Sequence, residues 1–252
     1  MEQSGSTSRQ RYLALEGSYN IRDIGGYPTQ DGNSTRWGAI VRADSLSNLP
    51  AASQRALLDY PIHTVIDLRR SSELQASPDV FAQSSHIKYV NISLLEDESK
   101  VGQVQSLEEL YRLMLETSQE QIKLTIETLA QKDTFPCLLH CTIGKDRTGL
   151  IVALLLSLSN VDPTTIADDY ALSEQYLDPL FQSYRARAEQ NGADIERLAW
   201  MVRSRHETML ATLNYLEEHY GGVRNYLSSI GITDQHIESI RSQLVERPQP
   251  VD

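Results

Sequence analysis

The chain has 252 residues, of which 40% are apolar and 23% charged, a composition that excludes a disordered or fibrous protein and leaves enough chain to bury a sizeable core. Its 23 basic residues against 34 acidic ones give a net charge of -11, which disfavours nucleic acid and anionic membrane as partners but leaves room for a local basic pocket. Two cysteines, Cys137 and Cys141, are too few for a disulfide scaffold and point to a reducing, cytoplasmic setting.

Residues 1–11 are polar, rich in Ser and without the apolar stretch of a secretory signal peptide, so they read as a flexible tail. Gly25-Gly26 and Asp31-Gly32 break the first third into short extended pieces. Ala39–Arg42 and His63–Leu68 are apolar runs of strand length, and Leu49–Tyr60 between them has helical spacing, which together make a crossover unit. Ile87–Leu94 is a further strand, followed by an acidic loop at Glu96–Glu98. Ser106 and Glu109 form a capping box that opens a helix with periodicity to about Gln131. Pro136–Cys141 reads as a short strand and, after a break at Gly144, Thr148–Leu158 reads as a buried helix. Its apolar run Leu150–Leu158 is about half of the ~20 residues needed to cross a bilayer, so no membrane insertion is expected. Asp162-Pro163 and Asp178-Pro179 each place an N-cap before a proline at a first helical position, and Gly221-Gly222 and Gly231 stop two late helices. With no repeat and no linker, the pattern predicts one α/β domain over 12–246, with a mainly parallel central sheet flanked by helices, a helix-rich last third and a tail over 247–252.

The stretch His140-Cys141-Thr142-Ile143-Gly144-Lys145-Asp146-Arg147-Thr148-Gly149 lies between that strand and that helix. Five residues between Cys141 and Arg147 can curl so that successive backbone N–H groups converge on one point, to which the helix N-terminus adds positive potential. Residues Thr142, Ile143, Gly144, Lys145, Asp146 and Arg147 then form a cradle for a dianion. The same field favours the Cys141 thiolate, placing its titration below the ~8.5 of a free cysteine and within about 3.5 to 7.5. Arg147 supplies a planar fork for two phosphoryl oxygens, a geometry that lysine cannot copy. Gly144 permits a backbone conformation that a side chain would obstruct, Thr148 can offer a hydroxyl to the thiolate, and His140 fixes the loop from behind. Lys145, at its place in the loop, favours an anionic substrate. Cys137 reads as a core residue, since four residues of extended strand separate it too far from Cys141 for a disulfide.

This loop resembles that of the Cys-x5-Arg phosphatases of the protein tyrosine phosphatase superfamily, and its Gly-Lys-Asp-Arg-Thr-Gly ending looks like their bacterial dual-specificity and phosphoinositide-active branch. Asn20-Ile21-Arg22-Asp23-Ile24-Gly25-Gly26, Ile66-Asp67-Leu68-Arg69 and Tyr220-Gly221-Gly222 resemble further segments of that branch, in its order. The resemblance implies a tyrosine-phosphatase-like fold and a two-step reaction through phosphocysteine on Cys141, with no metal and no cofactor. A general acid must protonate the leaving oxygen. No Trp-Pro-Asp loop exists and Leu107–Lys132 lacks aspartate, so Asp146 is the first candidate, as the resemblance also implies, and Asp67 the second. An incoming phosphate dianion would raise the Asp146 carboxyl toward the useful range.

Other residues keep two readings. Arg22 and Asp23 either pair or brace a glycine turn, or contact substrate, and Asp67 and Arg69 either form a structural ion pair or border a ligand at a strand end. The doublet Asp168-Asp169 reads as an exposed helical face or a capping feature. The expected activity is hydrolysis of phosphotyrosine, with phosphoserine or phosphothreonine as well, in a phosphoprotein or phosphopeptide. A phosphoinositide is the alternative substrate, although Thr142 stands where some lipid-active loops carry a lysine. A sulfurtransferase or a noncatalytic phosphopeptide-binding module are more distant readings.

Overall fold

The computed structural model describes residues 10–191 and 203–247; the remaining parts of the two expected tails, 1–9 and 248–252, lie outside the described residues. Five strands form the main sheet: β1 (Arg22–Asp23), β3 (Ile40–Ala43), β4 (Thr64–Asp67), β5 (Lys88–Asn91) and β6 (Cys137–His140). Their order is β1-β3-β6-β4-β5, with β1 antiparallel at the edge and β3, β6, β4 and β5 parallel, the mainly parallel sheet that the sequence pattern predicts. A separate two-stranded ribbon joins β2 (Ser34–Thr35) to β7 (Val245–Glu246) and so ties the two ends of the chain.

The apolar residues of the central strands alternate between two cores, as a period of two dictates. Ile40, Ile66 and Leu139 face the larger core, and Val41, Val65 and Leu138 face the smaller one. Both faces are therefore covered, which explains why these strands read as unbroken apolar runs. The larger core is filled by α6 (Asp146–Leu158), whose residues from Thr148 to Leu156 are all buried. Helices α4 (Leu107–Thr117), α5 (Gln119–Ala130) and α8 (His206–Tyr220), with α9 (Val223–Ser229) and α10 (Asp234–Leu244), pack on the same core. The smaller core is closed by α1 (Ala51–Asp59) through Leu57. Among the described residues no helix is long and apolar enough to cross a membrane.

Several expectations need correction. The helix expected to run to Gln131 is two helices broken at Ser118, which lets Met114 and Leu115 before the break and Ile122 and Ile126 after it face one core. Ser106 accepts from the Glu109 backbone as expected, but the Glu109 carboxylate turns to the N–H of Gln105, so the box is not reciprocal. Asp162 caps the helix that starts at Pro163, accepting from the Thr164 N–H at 2.7 Å. Asp178-Pro179 starts nothing, because α7 (Pro163–Asn191) continues through Pro179. One proline costs a single N–H and a local clash, and the buried Tyr170, Ser173 and Leu177 on the preceding turns hold the helix to the core. Arg11, placed in the tail by its polar context, belongs to the fold: its guanidinium donates to the Asp23 carbonyl at 2.8 Å and lies 3.7 Å over the Tyr27 ring.

The register sets Arg22 directly opposite Arg42, two like charges side by side and both fully buried. Asp169 of α7 resolves this: Oδ1 accepts from the Arg22 Nε at 3.0 Å, and Oδ2 accepts from the Arg42 Nη1. Burial alone would raise the Asp169 carboxyl, but the two guanidiniums outweigh it and hold it well below the usual carboxylate range. Of the acidic doublet only Asp168 is an exposed face; Asp169 is a buried linchpin, since a helix presents adjacent residues to different surroundings. Replacing Asp169 with Asn strips the shared counter-charge from two buried arginines. The expected loss is about 3–5 kcal/mol of stability, read from the urea midpoint; an unchanged midpoint would mean the arginines find relief elsewhere.

Candidate active site

Strands β3, β6 and β4 end in register at Ala43, His140 and Asp67, and the loop 141–145 leaves this carboxyl edge between them. Such an edge is where open α/β sheets place their ligands. Gly144 is built into it with φ of 66°, and a Cβ there would come within 2.3 Å of the Ala43 carbonyl oxygen. Only glycine allows the loop to lie this close to β3. Its carbonyl accepts from the Arg42 Nη2 at 2.8 Å, and the Ile143 carbonyl accepts from the Asn20 amide at 2.9 Å. The Asn20 carbonyl oxygen in turn accepts from Arg22, so the Asn20-x-Arg22 segment and β3 support the loop from below.

Cys141 is 1% exposed, is not in a disulfide, and packs in the larger core where the loop begins. Arg147, in the first turn of α6, sends its guanidinium back across the loop. Its Nη2 donates to the Thr142 hydroxyl at 2.9 Å and to Glu73 Oε1 at 2.8 Å, and its Nη1 donates to Glu73 Oε2 at 2.6 Å. Burial would lower the Arg147 pKa, but the Glu73 hydrogen bonds and the nearby charges of Cys141, Glu73 and Asp146 raise it, so it stays a cation. Burial would likewise raise Glu73, yet the Arg147 hydrogen bonds and charge hold its carboxyl far below the usual range. Glu73 also accepts from the backbone N–H of Arg70 at 2.8 Å, which seats it at the start of α2 (Ser71–Ala76). Thr148 is buried with its hydroxyl unpartnered, which leaves that group free for a neighbour in the loop.

Asp146 is partly exposed, as are Ile143 and Arg147. Its Oδ1 accepts from the Tyr111 hydroxyl at 2.7 Å and pairs with the Lys145 Nζ at 3.2 Å. Tyr111 in turn bonds Tyr170 at 2.5 Å, and burial first, then the Asp146 charge, pushes both phenols well above their ordinary pKa, so they stay neutral. Lys145 is fully buried and donates to the Arg203 carbonyl at 2.9 Å, so its ammonium is bound on the protein side of the loop.

Arg22, Asp23 and Asp67 sit behind the loop and away from the open cleft, and Arg69 is buried at the edge of a neighbouring cavity. Arg22 and Asp23 are fully buried. Asp23 accepts from the N–H groups of Gly25 and Gly38 at 2.6 and 2.7 Å, which is the glycine-bracing reading. Asp67 takes two bonds from the Arg69 Nε and Nη2 at 3.0 and 2.7 Å and one from the Tyr89 hydroxyl at 2.7 Å, leaving it no path to a leaving group. His140 braces the loop as expected, with Nδ1 3.2 Å from the Cys141 carbonyl and Nε2 3.3 Å from Asp79. Asp67, Asp79 and His140 lie close enough together to suggest a metal site, but Arg69 pairs with both carboxylates and supplies the positive charge there.

A cleft of about 340 Å³ opens over the loop, with Thr142, Ile143, Asp146 and Arg147 on one side and Leu95, Val101, Leu107, Leu110 and Met114 on the other. A larger depression of about 790 Å³ lies at the far end of α6, around Leu158, and holds none of the loop residues. Reading the sequence missed Glu73, Arg42, Tyr111 and Asp169. Arg42 alone carried a signal, a charge inside an apolar strand run that must find a buried partner.

A model of the tyrosine phosphatase family matches residues 13–246. A tyrosine-protein phosphatase of Nostoc commune is 34% identical over 217 residues, covering 82% of this chain and 74% of that one. A triple specificity protein phosphatase, PtpB, of Mycobacterium tuberculosis is 25% identical over 277 residues, covering 92% of this chain and 98% of its own. The crystal structure of P. aeruginosa TpbA aligns at 15% identity with a TM-score of 0.30, covering 66% of this chain and 88% of that one. With a matching family model across nearly its whole length and a cysteine–arginine loop at the carboxyl edge of its sheet, this chain belongs to the tyrosine phosphatase family.

Proposed function

We propose that one catalytic domain over 12–246 hydrolyses phosphotyrosine in proteins or peptides through a phosphocysteine on Cys141. The reading is carried by the Arg147 guanidinium, held in the mouth of the Cys141 loop and facing a cleft whose opposite wall is apolar. The phosphoryl group enters the loop while the ring of the substrate rests on Leu107, Leu110 and Met114. Phosphoserine and phosphothreonine fit the loop but bring no ring to that wall. The names of the Nostoc and mycobacterial relatives support the same substrate class. Two free cysteines support a reducing, cytoplasmic location.

In this reading the Cys141 sulfur attacks phosphorus, the ester oxygen leaves with a proton from Asp146, and water then cleaves the sulfur–phosphorus bond. Tyr111 and Lys145 pin one carboxylate oxygen of Asp146, which leaves the other to meet the leaving oxygen. Arg147 follows the charge that spreads over the phosphoryl oxygens. No metal enters the scheme.

Release of phosphate from an aryl phosphate without added metal is expected for the wild-type chain and absent for Cys141→Ser. Arg147→Lys keeps a charge but loses the fork, so kcat is expected to fall about 10²–10³-fold. Asp146→Ala is expected to hurt alkyl phosphates, whose alkoxide leaves poorly, far more than aryl phosphates with good leaving groups; equal losses would reduce Asp146 to a positional role. Glu73 gives a pH test. Its carboxyl titrates lower in the folded chain than in the unfolded one, so its stabilising effect is fully present above about pH 4.3 and is lost as pH falls from there toward the folded value. The stability gap between wild type and Glu73→Gln, measured by urea denaturation, is expected to narrow on acidification below that pH. A gap independent of pH would mean that the charge of Glu73 contributes nothing.

A further inference from the structure

A second cavity, of about 280 Å³, lies beside the loop and shares Glu73, Thr142 and Ile143 with the cleft described above. The Glu73 carboxylate, bonded by Thr142 and Arg147, is the partition between the two. We propose that this cavity is a second substrate subsite that takes the neutral or basic residue flanking the phosphotyrosine of a polypeptide. The inference rests on the phosphatase reading above and adds what that site selects.

The walls define the class of ligand. Tyr19 and Tyr184, 39% and 41% exposed, both line the cavity, and they are two of the four large exposed apolar side chains among the described residues. Leu180 and Ile143 complete an apolar floor, so the site offers ring faces to a flat or aliphatic group. Its one cation is already spent. Arg69, the one cation among the described lining residues, is 1% exposed and its Nη1 donates to Ser45 Oγ, Ser47 Oγ and the Ser77 carbonyl at 3.2, 3.1 and 2.8 Å. Ser47 Oγ donates to the Ser77 carbonyl as well, at 2.8 Å.

An added phosphate would therefore find no free cation there, because Arg69 is spent and the Glu73 carboxylate of the partition already holds Arg147 and Arg70. A multiply phosphorylated inositol headgroup is disfavoured on the same ground. A peptide lying across the mouth does not meet that obstacle: its phosphotyrosine fills the apolar cleft, and the next residue crosses the partition onto the two tyrosines. A basic flank meets the Asp44 and Glu73 carboxyl groups that line the cavity, and an acidic flank finds no free cation to pair with.

The test compares kcat/KM of wild type, Tyr19→Ala and Tyr184→Ala on p-nitrophenyl phosphate, on phosphotyrosine peptides with Arg, Ala or Glu beside the phosphotyrosine, and on a soluble short-chain phosphoinositide bearing three phosphates. Each tyrosine removal is expected to lower kcat/KM on the Arg and Ala peptides about three- to tenfold through KM, with p-nitrophenyl phosphate unchanged. Wild type is expected to prefer Arg and Ala flanks over Glu. Equal effects on the small ester and the peptides, no effect on the peptides, or an effect confined to the phosphoinositide would each overturn the subsite while leaving the phosphatase reading intact. Failure of wild type to hydrolyse p-nitrophenyl phosphate would sink both.

Discussion

The site depends on one carboxylate shared by two buried guanidiniums. Strand pairing forces Arg22 and Arg42 against each other, and Asp169 reaches in from α7 to neutralise one of the two charges. The surplus positive charge stays beneath the loop, where Arg42 carries it to the Gly144 carbonyl. A loop meant for a dianion thus rests on a cation that cannot move, and the cost of burying that cation is met only because the whole assembly is closed on Asp169, Tyr27 and Ser173. Each element of the support comes from a different part of the chain, so the loop geometry exists only in the complete fold.

A second arrangement governs the mouth. Glu73 grips Arg147 through both terminal nitrogens and also takes the Thr142 hydroxyl and the Arg70 N–H. The guanidinium is therefore held in one orientation at the mouth of the loop. The same carboxylate divides two cavities of different character, one walled by leucines and a methionine and one by tyrosines, so that a single residue both orients the phosphate fork and shapes what surrounds it.

Behind the cysteine, His140, Asp67, Asp79 and Arg69 form a closed buried group at the ends of β4 and β6. Burial pushes the Asp79 carboxyl up, whereas the His140 and Arg69 charges prevail over burial at Asp67 and draw it down. Of the two readings open for Asp67 and Arg69, the ion pair is present here and holds strand ends together. The charged residues that line the open cleft are Arg70, Glu73, Lys145, Asp146 and Arg147.

The sequence by itself determined the parallel sheet, the strand–loop–helix at 137–158 and the need for glycine at Gly144, because these follow from periodicity and from a contiguous run of residues. The helix break at Ser118 and the continuation of α7 through Pro179 were not legible, since core packing overrides local propensity there. Nor were Asp169, Glu73 and Tyr111, which lie 127, 74 and 35 residues from the groups they hold and carry no local pattern. Only tertiary structure decides such pairs: a charged side chain looks alike in sequence whether it meets water or another charge, and burial alone makes the choice of partner matter.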